Sequence, residues 1–182
     1  GFFDSVQTLI RDGKVMAYHD RSDGGLFSTV TEMAFAGKAG VKVELSALSS
    51  LSGDDVTAAL FNEELGAVIQ VKSTDKAAVL AVLAENGLAG MSHVIGSVNN
   101  DDKISFTVNG KVVLENTRTH YRTVWAETTF KMQSMRDNPE CAQQEHDAKF
   151  DVNDKGLNVE LTFDINEDVA APFIAKDAST GV

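Results

Sequence analysis

Gly24-Gly25 stands where an apolar run gives way to a cluster of charge and then to a helical pattern. The apolar run beginning at Val15 closes in His19-Asp20-Arg21-Ser22-Asp23, the glycine pair follows, and a helical apolar pattern starts at Leu26. A strand is predicted to deliver Asp20 and Ser22 to its carboxyl end. Gly24 and Gly25 lack side chains, so backbone N–H groups there can approach a ligand, and the next helix points its positive dipole end at the same spot. A phosphate bridged by magnesium suits that arrangement, because magnesium takes a few carboxylate oxygens together with phosphate and water. Asp23 or Ser22 capping the free N–H groups of the following helix accounts for the same letters, and the two readings are compatible.

The rest of the composition bounds the class. With 182 residues, 43% of them apolar, the chain can bury a core of ordinary domain size. No window approaches 18 consecutive apolar residues, and Gly1-Phe2-Phe3-Asp4 lacks the pattern of a signal peptide, so neither membrane insertion nor secretion is expected. The single Cys141 cannot form an internal disulfide, which makes a reducing cytoplasm the expected compartment and Cys141 a bystander thiol. A net charge of −11 argues against nucleic acid as a partner. That charge is uneven. Residues 137–168 hold ten acidic and two basic side chains, a net of −8, leaving only −3 for everything else.

Periodicity orders the elements. Phe2, Phe3, Val6, Leu9 and Ile10 recur at helical spacing before Gly13, and a strand over Val15 to His19 follows. Leu26, Val30, Met33 and Ala34 stripe a helix ending at Gly37, and Gly40 to Leu45 alternates as a half-buried strand. Ser52-Gly53-Asp54-Asp55 reads as the cap of a third helix through Val56, Leu60 and Phe61, and Leu65 to Val71 is apolar enough for a central strand. Ser73 opens a helix with Ala77, Leu80, Val82, Leu83 and Ala84 on its inner surface, and a strand over Ser92 to Val98 comes next. Asn109-Gly110 between Ile104 to Val108 and Lys111 to Leu114 is a strong hairpin signal, because both central positions of a type I′ turn need positive φ. Asn116 is then expected to cap a long helix packed on the sheet through Tyr121, Trp125, Thr128, Met132 and Met135.

From Asp137 onward the periodicity fails. Asn138-Pro139 blocks helix continuation, and Leu157, Val159, Leu161, Phe163 and Ile165 alternate in a way that suits an edge strand. The ends, Gly1 and Ala170 to Val182, read as those of an excised piece. Helices alternating with strands, plus a hairpin, predict a layered α/β arrangement with a mixed sheet.

Three separated blocks carry a resemblance: His19-Asp20-Arg21-Ser22-Asp23-Gly24-Gly25-Leu26, Glu32-Met33-Ala34-Phe35-Ala36-Gly37, and Leu60-Phe61-Asn62-Glu63-Glu64-Leu65-Gly66-Ala67-Val68-Ile69-Gln70-Val71. They resemble the second carboxyl-terminal-type domain of the large, single-chain phosphoribosylformylglycinamidine synthases of purine biosynthesis, in the aminoimidazole ribonucleotide (AIR) synthetase superfamily. Arg136 to Ala142, Glu145 to Phe150 and Asn158 to Asp164 resemble the segment leading into that family's glutaminase domain. The resemblance implies an α+β layered α/β/α domain over residues 1–136 and an acidic linker over residues 137–182. It implies part of a ligase that uses ATP and glutamine to amidate formylglycinamide ribonucleotide. By motif position, Asp20 would ligate magnesium at an auxiliary ADP or ATP site, and Ser22, Gly24 and Gly25 would contact the nucleotide. The implied partners are the remaining synthetase and glutaminase domains of the same polypeptide. Since those domains would hold the glutaminase nucleophile and most of the ATP-grasping surface, this piece alone is expected to be inactive and to bind nucleotide weakly or not at all.

Two rivals stay open. One is another ATP-using enzyme of the superfamily, such as a selenophosphate or thiamine phosphate enzyme; the other is a noncatalytic scaffold whose glycine pair is only a turn. Asp23 competes with Asp20 for a metal. His19 at a strand end reads as a hydrogen-bonded structural group, with an acid or base role as the alternative. His93, His120 and His146 have no ligand spacing with one another or with Cys141. Glu63-Glu64 reads as a solvated strand entrance, because adjacent strand residues face opposite sides.

Overall fold

The structure, a computed structural model, describes residues 1–48, 54–153, 156 and 158–174. They form two separate units, Gly1–Val152 and Asn153–Val182.

In the first unit the elements run α1 (Phe2–Arg11), β1 (Ala17–Asp20), α2 (Gly25–Gly37), β2 (Gly40–Glu44), a 3-10 turn over Leu45–Ala47, and α3 (Asp54–Phe61). They continue with β3 (Ala67–Gln70), α4 (Lys76–Glu85), a 3-10 turn over Ala89–Met91, β4 (Gly96–Asn99), β5 (Lys103–Val108), β6 (Lys111–Thr117), α5 (Arg118–Arg136) and α6 (Pro139–Ala148). The order of helices and strands is the predicted one as far as α5. Ser52 and Gly53, expected to cap α3, lie outside the described residues.

Four strands form a mixed sheet in the order β4-β2-β5-β6, parallel between β2 and β5 and antiparallel elsewhere. The hairpin falls where the turn chemistry puts it. Asn109 and Gly110 carry φ of +50° and +74°, the left-handed pair that a type I′ turn demands. Glu44 pins that turn. Its carboxylate accepts hydrogen bonds from the backbone N–H groups of Asn109 (2.9 Å) and Gly110 (3.0 Å), and from the Thr107 hydroxyl at 2.8 Å.

The core lies between this sheet and the first helices. Leu26, Val30 and Ala34 of α2 meet Val43 of β2, Leu60 of α3, and Ile104 and Phe106 of β5. Three of those positions belong to the four-residue stripe read for α2; its fourth, Met33, is half-buried and outside the core cluster. Burying such side chains is worth about 1.5–3 kcal/mol each relative to exposure, so this face fixes α2 and with it the turn that precedes it.

Several expectations need correction. Leu65 to Val71 is not a central strand: among the described residues β3 pairs antiparallel with β1 alone, Asp20 opposite Ala67, in a separate two-stranded sheet. Its apolar run reflects packing on α2 rather than burial between two ladders. In α4, Val79 is the buried residue while Ala77 and Ala84 are exposed, since a helix apolar on every side does not select one face. In α5, Trp125, Met132 and Met135 are exposed, and Arg118, Thr119 and Ala126 are buried instead. The cap of α5 is Thr117 rather than Asn116; its hydroxyl accepts from the His120 N–H at 3.1 Å.

Asn138-Pro139 both ends α5 at Arg136 and starts α6. The Asn138 side chain accepts from the N–H groups of Glu140 and Cys141, and proline sits in the first turn, where its missing N–H costs nothing. This helix packs on α5, with the His146 ring stacked on Phe130 at 4.0 Å, so the compact unit extends past residue 136 to Val152.

The second unit consists of turns among its described residues, with no strand over 158–166. Leu157 lies outside the described residues. Val159, Leu161, Phe163 and Ile165 are exposed.

Candidate functional site

The end of β1, the turn after it and the start of α2 come together as the sequence pattern requires. Along β1 the side chains alternate: Ala17 and His19 turn inward and Tyr18 and Asp20 outward. Asp20, Ser22 and Asp23 are all exposed at the mouth of the turn. The turn closes through the Gly25 N–H, which donates to the Ser22 carbonyl at 2.9 Å. Gly24 and Gly25 have φ of +79° and +64°, which L side chains rarely adopt. At Gly25 a Cβ would meet the carbonyl oxygens of Leu60 and Asn62 and the carbonyl carbon of Phe61 at 2.7–2.8 Å. The close approach that this glycine permits is therefore to the end of α3.

The N–H groups of the glycine pair already have partners. Gly24 is the N-cap of α2, and neither Ser22 nor Asp23 caps the helix. The Glu63 carboxylate does so instead, accepting from the Gly24 N–H at 3.0 Å. Beside it, Arg21 donates from Nε to the Glu64 carbonyl at 2.7 Å and pairs with the Glu64 carboxylate at 3.3 Å. Glu63-Glu64 is thus a clamp that ties the loop before β3 to the β1–α2 turn. Sequence reasoning missed this pairing, and an acidic doublet carries no local signal for a contact some 40 residues away.

Asp20 is held from three sides. The Tyr18 hydroxyl donates to its carboxylate at 2.5 Å, and that hydrogen bond, with partial burial and the carboxylate charge, pushes the phenol up to about 12. The Asp20 carbonyl accepts from His19 Nδ1 at 2.7 Å and from the Thr29 hydroxyl at 3.2 Å. The other ring nitrogen of His19 meets the Glu32 carboxylate at 2.9 Å. Glu32 also accepts from Trp125 Nε1 at 3.1 Å, which links α5 through α2 to the end of β1. Both ring nitrogens of His19 face oxygen atoms, the Asp20 carbonyl and the Glu32 carboxylate, so the ring is held on both sides and helps to fix the Asp20 main chain.

Among the described residues no three His, Cys, Asp or Glu side chains cluster as a metal cage. Asp20 is an exposed single carboxylate beside a helix start. That donor set fits magnesium carried on a phosphate, with water and phosphate oxygens supplying most ligands. Cys141 is exposed. No helix among the described residues is long and apolar enough to cross a membrane.

A mixed sheet with helices against it makes this unit a layered α+β domain. The model of the family "AIR synthase related protein, C-terminal domain" matches residues 2–109, more than half of the sequence, and the chain belongs to that family. Solved structures agree on the fold. Thermotoga maritima PurL complexed with FGAR superposes with a TM-score of 0.54 at 16% identity, covering 64% of this chain and 19% of that one. The same protein complexed with ADP gives 0.54 at 16% identity over 63% of this chain and 20% of that one. A HypE–HypF complex gives 0.50 at 15% identity over 63% and 39%. The chain spans about a fifth of the length of the PurL chains it matches.

Proposed function

We propose that this domain is part of a phosphoribosylformylglycinamidine synthase, a glutamine-dependent ligase of purine biosynthesis, in which it completes the synthetase core and an auxiliary magnesium-nucleotide pocket. The observation that carries this reading is the exposure of Asp20 and Ser22 together at the mouth of the β1–α2 turn, with Asp20 held in place by Tyr18, His19 and Thr29. Membership of the AIR synthase related family supports it, as do the PurL structures, which are complexed with FGAR and with ADP. Asp20 would ligate magnesium and Ser22 would contact the nucleotide. Gly24 and Gly25 would shape the turn, and the Gly24 N–H would reach a phosphate once Glu63 gives way.

The domain would act with the other synthetase and glutaminase domains of a longer polypeptide in the cytoplasm. By itself it would bind nucleotide weakly and turn nothing over. Titrating magnesium-ADP at millimolar concentration while following amide resonances reads such weak binding. Shifts centred on residues 19–29 that vanish in Asp20→Ala and survive in Asp23→Ala are expected; a loss confined to Asp23→Ala overturns the assignment.

A second reading has an observation of its own. Packing against the end of α3 and the bond to Glu63 account for the glycine pair without any ligand, as a noncatalytic scaffold would have it. An absence of nucleotide-dependent shifts at residues 19–29 favours that reading. The HypE–HypF likeness keeps another superfamily enzyme as the alternative parent.

A further inference from the structure

We infer that Tyr18 is the positioning residue of the cation site: its hydroxyl orients the Asp20 carboxylate so that one oxygen faces a divalent cation carried on a nucleotide phosphate. The inference rests on the reading of Asp20 given above and adds a residue to it.

Tyr18 and Asp20 are two apart on β1, so the pleat puts both on its outward face. The phenol donates to Oδ1 of Asp20, and no hydrogen bond among the described residues uses Oδ2. The aspartate backbone is fixed as well, because the His19 ring and the Thr29 hydroxyl both hold its carbonyl. With main chain and one carboxylate oxygen both anchored, the remaining rotamer freedom is small and the second oxygen is presented in one direction. Exposed aspartates normally sample several rotamers, and a cation has to select one of them. A donor on the non-ligating oxygen removes that cost before the ion arrives. Hydrogen bonds to ligating carboxylates typically change metal affinity by about 10–100-fold.

The test uses the 182-residue chain, manganese-ADP and metal-free ADP as probes, and Tyr18→Phe and Asp20→Ala as variants. Paramagnetic broadening of amides 19–25 reports the ion even at millimolar affinity. In the wild-type chain those amides are expected to broaden first. Tyr18→Phe is expected to weaken manganese-ADP about tenfold while leaving the thermal midpoint and the shifts caused by metal-free ADP unchanged, a split that loss of packing would not produce. If Asp20→Ala abolishes the broadening and Tyr18→Phe matches wild type, the positioning role is overturned and the Asp20 site stands. If Asp20→Ala broadens like wild type, or the wild-type chain shows no broadening there, the site itself is overturned and the role of Tyr18 with it.

Discussion

The Glu63 carboxylate sits 3.0 Å from the Gly24 backbone nitrogen and caps α2 from the far side of the chain. A helix start needs acceptors for its first N–H groups; the Ser22 carbonyl takes the Gly25 N–H, but the side chains of Ser22 and Asp23 cap nothing. The acidic charge also lies at the positive end of the helix dipole. Glu63→Ala therefore frees the Gly24 amide. Its exchange with solvent is expected to speed up while the core amides of α2 stay protected, and stability to fall by about 0.5–1 kcal/mol. Unchanged exchange at Gly24 contradicts the cap.

Gly25 and Gly87 separate strain from crowding. Both have positive φ, +64° and +78°, but a Cβ meets three backbone atoms at Gly25 and open space at Gly87. Gly87→Ala is expected to cost about 1 kcal/mol from the left-handed backbone alone. At Gly25 the end of α3 must also shift, raising the cost to about 3 kcal/mol. Urea denaturation compares the two, and equal losses refute the contact with α3.

Arg118 is buried at the start of α5, its Nε 2.6 Å from the Asp102 carboxylate, while the Thr119 hydroxyl reaches the other Asp102 oxygen at 3.1 Å. Arg118→Met leaves Asp102, which is half-buried and still bonded to Thr119, without its cation, so it is expected to destabilise by about 1–2 kcal/mol. Adding Asp102→Asn removes the orphaned charge and is expected to recover part of that loss. Additive effects in this double-mutant cycle argue against direct coupling.

Glu44 sets a pH dependence. Hydrogen bonds from Ser46, Thr107 and the Gly110 N–H hold its carboxyl at about 2, against an ordinary value of 4.5. A carboxyl lowered by folding stabilises the folded state fully above its unfolded pKa and loses that contribution as pH falls toward the folded value. Stability is therefore expected to drop between about pH 5 and 2, and Glu44→Gln to flatten that part of the profile. Thermal midpoints across this range check it, and an identical slope in the variant removes Glu44 as the cause.

Much of the site was legible because its signals are local. The strand before Asp20, the glycine pair and the stripe of Leu26, Val30 and Ala34 lie within some 18 consecutive residues, and short-range sterics and period decide them. The Asn109-Gly110 hairpin is equally local. What sequence reasoning missed joins distant segments: Glu63 to Gly24 across 39 residues, and Trp125 to Glu32 across 93. His19 shows both sides of the boundary. Its place at the strand end is written in the pattern, whereas the engagement of both ring nitrogens depends on Glu32 arriving from α2.

By itself, then, the sequence determined the order of elements through α5, the turn that exposes Asp20 and Ser22, and membership of the AIR synthase related family. Tertiary structure alone decided that β3 pairs only with β1, that α5 buries Ala126 rather than its Trp and Met stripe, that Asn138-Pro139 opens a further helix packed on α5, and that Glu63 caps α2. The physical reason is range: backbone sterics and side-chain period act over a few residues, but which apolar face is covered and which carboxylate meets which N–H depend on what the folded chain brings alongside.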